Sequence, residues 1–240
     1  MKKRKENKKS VAITLAALCL LGVLSVGGTM AYLTDNDTKT NTFTYGKVDI
    51  ELEEPSWNET KAKDLVANQV VAKDPKIKNV ESNDAIVFLK VSVPMKNVVT
   101  AADDGTKQPA EVKELFLTSA DGTTAFNEGA FDTANWESIS TEYFSGTTSD
   151  GATKKNTCTK VERVYGYKTK LAKNTTTSEL FKAVKAINVI EGQVDAGVNQ
   201  DIVVSAYAIQ ADNIASIDTT TLNNATLKQV YDVYVNQHKA

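Results

Sequence analysis

Residues 85–93, AIVFLKVSV, are apolar on both of the faces that alternate along an extended chain. A run of that length and β-branched character is a strand covered on both sides, so it belongs in the middle of a sheet. Pro94 is expected to end it, because proline has no N–H to give to a ladder. The rest of the chain repeats the texture of short apolar runs between polar turns. Val48, Ile50 and Leu52 alternate with Asp49, Glu51 and Glu53, which predicts a strand with one wet face. It follows Phe43, Tyr45 and a Gly46-Lys47 turn or bulge, and it ends at Pro55 and Trp57. Further strands are expected over residues 70–77, 161–171 and 202–209 (IVVSAYAI). Residues 180–190 fit a helical face through Leu180, Phe181, Val184 and Ile187, and a strand through INVI. Both readings stand on the sequence. Leu227, Val230, Tyr231 and Tyr234 fall at helical spacing behind Asn223 or Asn224 as N-cap, which predicts one short C-terminal helix. The fold class that follows is mainly β, an antiparallel β-sandwich over residues 45–240. Residues 101–156, punctuated by Asp-Gly turns, read as an insertion-rich middle.

The first 31 residues have a different character. Six basic residues (Lys2, Lys3, Arg4, Lys5, Lys8, Lys9) precede an uncharged run over 11–28, and Thr29 and Ala31 place small residues where a signal peptidase reads. Residues 1–31 therefore read as a secretory signal peptide cut before Tyr32, with residues 32–44 as an N-terminal linker. The competing reading, a membrane anchor, meets no basic stop after the apolar run. The leader carries a charge of +5. Since the whole chain stands at −2, the exported part is acidic, at −7. An acidic chain gains little from phosphate backbones or anionic lipids, so neither nucleic acid nor, after cleavage, a membrane is expected as a partner. Cys158 alone survives cleavage, in a polar stretch that reads as exposed or half-buried. It leaves no intramolecular disulfide to form.

Conventional catalytic constellations are missing. The one histidine, His238, lies near the C-terminus, so no HExxH pair, Ser-His-Asp triad or Cys-His dyad can be assembled from the usual parts. Asp35, Asp37 and Asn41 are oxygen donors close in sequence and are the weak candidates for a cation, as are Asp103 and Asp104. Neither set has the glycine and glutamate of a calcium loop. No phosphate loop or cofactor motif is present, and no cofactor is expected. Trp57, Trp136, Tyr165, Tyr167, Tyr231 and Tyr234 are either core aromatics or a carbohydrate platform, the core reading being the commoner for such residues on strands and helices.

Three blocks carry a resemblance to a known group: residues 27–57 (GGTMAYLTDNDTKTNTFTYGKVDIELEEPSW), 73–94 (KDPKIKNVESNDAIVFLKVSVP) and 202–213 (IVVSAYAIQADN). They resemble the exported proteins processed by the SipW-type signal peptidase, the group of the TasA biofilm fibre protein and camelysin. The resemblance implies a jelly-roll-like sandwich at the cell surface, or in the extracellular matrix, of a Gram-positive bacterium. In the fibre-forming members, the segment after the cut completes the sheet of a neighbouring subunit. On this chain that segment is residues 32–44, with Tyr32 and Leu33, then Phe43 and Tyr45, as groove-filling side chains. Camelysin is described as a metalloprotease, but this sequence departs from conventional zinc patterns, so that activity is not transferred. The expected partners are the signal peptidase during export and then the chain itself or related matrix subunits. The expected role is a non-enzymatic fibre subunit or accessory; the alternatives are a camelysin-like metalloprotease or a monomeric glycan-binding adhesin.

Overall fold

A computed structural model describes residues 48–63, 65–194 and 198–239, all within one compact unit, Gly46–Ala240. Among the described residues the chain is mainly β, with antiparallel sheets, one α-helix and a short 3-10 turn at Glu59–Ala62: β1 (Ile50–Glu53), β2 (Val70–Ala72), β3 (Lys76–Asn79), β4 (Ala85–Val98), β5 (Glu111–Glu114), β6 (Phe116–Ser119), β7 (Trp136–Ser145), β8 (Thr148–Gly151), β9 (Lys160–Tyr167), β10 (Ala183–Ala186), β11 (Val203–Gln210) and α1 (Asn224–Gln237). The principal sheet runs β11-β4-β9-β7-β8, with β5 also on β4. Opposite it lie β1-β3 and β2-β10-β6. Backbone bonds from Asn79 to Thr175, Thr177 to Ile77, Leu180 to Pro75 and Lys73 to Lys182 join these into one continuous ladder between residues 68–79 and 174–186.

The double-sided apolarity of residues 85–93 is explained by what covers β4. Val87, Leu89, Val91 and Val93 point into the core shared with Val71, Ile77 and Val184 of the opposite layer. Ile86 and Phe88, on the other face, meet Leu227 and Val230 of α1. Helix α1 starts at the Asn223 cap, whose side chain accepts the Thr226 N–H at 3.0 Å, and Asn224 donates to the Ser138 carbonyl at 2.8 Å. Gly166 lets the helix close down: a Cβ there would stand 3.0 and 3.1 Å from the Leu227 methyls and 3.2 Å from Phe88.

Three expectations are corrected. Strand β4 runs through Pro94 to Val98. Pairing with β11 stops at Ser92, so the N–H that proline lacks would face past the end of that strand, while the Pro94 carbonyl accepts from Leu115 at 2.9 Å. The single strand over 70–77 is two, β2 and β3, parted by Lys73, Asp74 and Pro75. Cys158 is buried at 3% exposure: its Sγ accepts the Lys155 N–H at 3.2 Å in a turn closed by Asp150. The ambiguity at 180–190 resolves to a strand, because β10 lies between β2 and β6 and pairing on both sides overrides a helical period. Residues 101–156 hold β5 to β8, and β7 pairs with β9 in the principal sheet.

Deep in the sandwich Glu114, with no exposed surface, is bound by Arg163 through both guanidinium nitrogens, one contact at 3.0 Å. Burial pushes the Glu114 carboxyl up, against the pull of Arg163. Gly129, at φ +64°, leaves room for that guanidinium, since a Cβ there would stand 2.5 Å from Arg163 Nε.

Candidate functional site

Among the described residues the sandwich is incomplete on the side between β11 and β2. Strand β1 leaves its ladder after four residues, at the Glu54-Pro55 turn, and the position beside β2 that its continuation would fill is taken by no strand among the described residues. Gln69 and Lys73 turn their backbone groups to β10. Alternation therefore points those of Val70 and Ala72 to the open side. Strand β11 is also an edge among the described strands. The bond from the Ala211 N–H to the Asp84 carbonyl fixes which residues face β4, and it turns Val204, Ala206 and Ala208 outward along the ladder direction. The side chains of those three face the core yet are only partly buried, whereas Val87 and Leu89 on the next strand have no exposure. The core thins where a further strand would lie. The sequence of β11, VVSAYAIQ, carries no charge and no proline to discourage pairing.

Between these edges opens a groove of about 1260 Å³. Its floor is Val71, Leu115, Phe116, Val184 and Ile187. Its walls include Trp57, Leu65, Val66, Ile190, Val198 and Ile202. Among the described residues six large apolar side chains are exposed; Trp57, Val66 and Val198 line the groove and Val70 and Val203 adjoin groove residues, so five of the six gather here. One wall is pinned by charge. Lys73 Nζ lies 2.8 Å from both carboxylate oxygens of Glu54 and 4.7 Å from the centre of the Trp57 ring, and Asp74 accepts the Ser56 N–H at 2.9 Å. Lys73 and Asp74 are each 6% exposed, so the pair is shielded from solvent and holds the turn that ends β1.

The groove floor and the first described residues meet the same ladder at different levels. The first described residues, Val48 and Asp49, meet the sheet at Val80 and Asn79, while the groove floor begins at Val71. Eight residues of ladder separate the two levels, about 26 Å at a strand's rise.

Thr29, Ala31, Tyr32, Leu33, Asp35, Asp37, Asn41, Phe43 and Tyr45 lie outside the described residues. Of the other candidates, Asp104 accepts the Thr106 N–H at 2.9 Å in an exposed turn. The aromatic residues separate. Trp136 has no exposure and donates to the Ser178 carbonyl, Tyr165 is buried, and Tyr167 packs on Trp136 at 4.9 Å, so these three are core. Trp57 borders the groove, and Tyr231 and Tyr234 lie on α1. Sequence reasoning missed the groove. Val66, Val70 and Val198, apolar residues in otherwise polar stretches, are the signal that marked it.

A family model described as camelysin metallo-endopeptidase matches residues 6–162, more than half of the chain. No curated relative and no solved structure matches. The description implies a metal, and the donor set tests it: among the described residues no three His, Cys, Asp or Glu side chains converge. His238 lies at the C-cap of α1, with Nδ1 2.8 Å from the Tyr234 carbonyl and its ring stacked on Tyr234 at 4.2 Å. The described residues do not present the ligands of a zinc peptidase, and no step through a metal is derived. By the extent of its match, this chain belongs to the camelysin metallo-endopeptidase family.

Proposed function

We propose that this protein is an exported structural subunit that assembles head to tail into fibres of the cell surface or extracellular matrix. In this reading the groove receives an extended segment of a neighbouring copy, residues 32–44, after cleavage between Ala31 and Tyr32. The observation that carries the reading is the separation of entry and groove. A segment leaving the sandwich at one level of the ladder and docking at another on the next copy makes a heterologous contact that does not close on itself, and such contacts propagate. An added strand also satisfies the outward backbone groups of β2 or β11 and covers the apolar floor at once. Export through the leader delivers the acidic chain to a compartment where cohesion is useful, and no catalytic group is required of it.

The test is electron microscopy of the processed full chain beside a variant carrying Val66→Lys and Val198→Lys. The reading expects filaments from the first and dispersed particles from the second. Dispersed particles from both, across concentration and pH, count against it. The family description favours a second reading, metal-dependent peptide hydrolysis. Casein cleavage by the pure protein, abolished by a chelator and restored by zinc, would establish that reading instead.

A further inference from the structure

The sequence has eight tyrosines, and the described ones divide sharply by surroundings. Tyr165 is buried and its hydroxyl donates to the Gly129 carbonyl at 3.3 Å; that of Tyr167 accepts the Ser178 N–H. Tyr143 has no tyrosine ring beside it among the described residues. Tyr207, Tyr231 and Tyr234 instead form one half-buried cluster where Tyr207 of β11 meets the two tyrosines of α1. Their ring centres are 5.2 Å apart for Tyr207 and Tyr234, 6.2 Å for Tyr231 and Tyr234, and 6.4 Å for Tyr207 and Tyr231. Tyr231 is seated on Phe88 at 5.2 Å, while Tyr207 and Tyr234 are the closest pair and come from different elements. Burial, with the neighbouring Tyr207, raises the phenols of Tyr231 and Tyr234, so both are protonated at neutral pH. The one described cysteine is buried and unpaired, so no disulfide ties α1 to the sheet.

We propose that Tyr207 and Tyr234 are a site of oxidative coupling, joined as an intramolecular dityrosine that fastens α1 to β11. The oxidant is of the haem-peroxidase class acting with hydrogen peroxide. Each phenol gives up one electron and one proton to become a phenoxyl radical. The two radicals join through ring carbons ortho to the hydroxyls, and the hydrogen on each joining carbon shifts back to oxygen to restore the phenols. The protein loses one hydrogen from each ring, and one peroxide is reduced to water. Close packing favours this pair because the radicals form within contact distance and recombine before either meets a second chain.

The experiment treats dilute full-length protein with horseradish peroxidase and limiting hydrogen peroxide. The expected result is a monomeric product lighter by one hydrogen molecule, with dityrosine fluorescence and a cross-linked peptide joining 203–210 to 224–237. Tyr207→Phe and Tyr234→Phe keep the rings and the packing but remove the phenols, and each loses the fluorescence and the mass change. Tyr143→Phe retains both. Circular dichroism of the variants, unchanged from the parent, separates loss of coupling from loss of fold. The proposal is overturned if coupling maps to other tyrosines, if it forms only between chains, or if none forms while free tyrosine couples under the same conditions.

Discussion

Replacing Gly166 with alanine probes the seat of the C-terminal helix α1. Gly166 is not at positive φ, so the backbone accepts a side chain and the outcome is decided by space. The new methyl would meet the two Leu227 methyls at 3.0 and 3.1 Å and Phe88 at 3.2 Å, each closer than an ordinary contact. Leu227 and Phe88 have no exposure, so neither can swing into solvent. Overpacking of a filled core costs about 1–3 kcal/mol. The same substitution removes freedom from the unfolded chain and returns about 0.4–1 kcal/mol. The net effect is a loss centred on about 1.3 kcal/mol. Urea unfolding followed by tryptophan fluorescence and circular dichroism measures it. The double variant with Leu227→Ala supplies the control: alone, Leu227→Ala costs about 2–5 kcal/mol by opening a cavity, and with Gly166→Ala it should cost clearly less than the sum. A Gly166→Ala protein as stable as the parent, or strict additivity in the pair, refutes the argument that this contact fixes the helix.

Glu114→Gln leaves Arg163 buried without its counter-charge and should lower stability by about 3–5 kcal/mol in the same assay, whereas Glu114→Leu with Arg163→Met should recover most of that loss. Acid should weaken the fold. Hydrogen bonds from Thr124 to Asp121, from Thr220 to Asp218 and from Thr106 to Asp104 hold these carboxyls below their usual range. Their contribution is present above the unfolded value near 4 and is lost as pH falls through the lower folded values. A thermal-unfolding series from neutral pH downward should therefore show stability declining below about pH 4. Val66→Lys and Val198→Lys, at 65% and 56% exposure, should change stability by no more than about 0.5 kcal/mol while abolishing filaments, because they touch the groove without entering the core.

Much of the fold was legible because period-2 patterning and burial coincide. Residues 85–93 lie inside the principal sheet with a strand on either side, β11 follows the pattern at 202–209, β9 follows that at 161–171 as far as Tyr167, and α1 begins at the Asn223 cap. What misled was local chemistry read without neighbours. Pro94 stops a strand only where an acceptor awaits its N–H, and here β11 has already ended. Leu180 to Ile190 has two periods, and the choice is made by β2 and β6 on either side. Cys158 looked exposed because its sequence neighbours are polar, although the turn folds it inward. The groove left a fainter trace. Among the described residues no strand lies beside β2, so its only mark in the sequence is the isolated apolar residues Val66, Val70 and Val198.

Head-to-tail docking is tested most directly by a cross-link between two differently marked chains. One chain carries Leu33→Cys and the other Val198→Cys, a position on the groove wall; Cys158, buried in both, stays out of the exchange. Mixed after processing and mildly oxidised, they should form a disulfide joining the two kinds of chain, within filaments. Filaments that assemble without that bond, or a bond that forms only when both cysteines are on the same chain, would contradict the account.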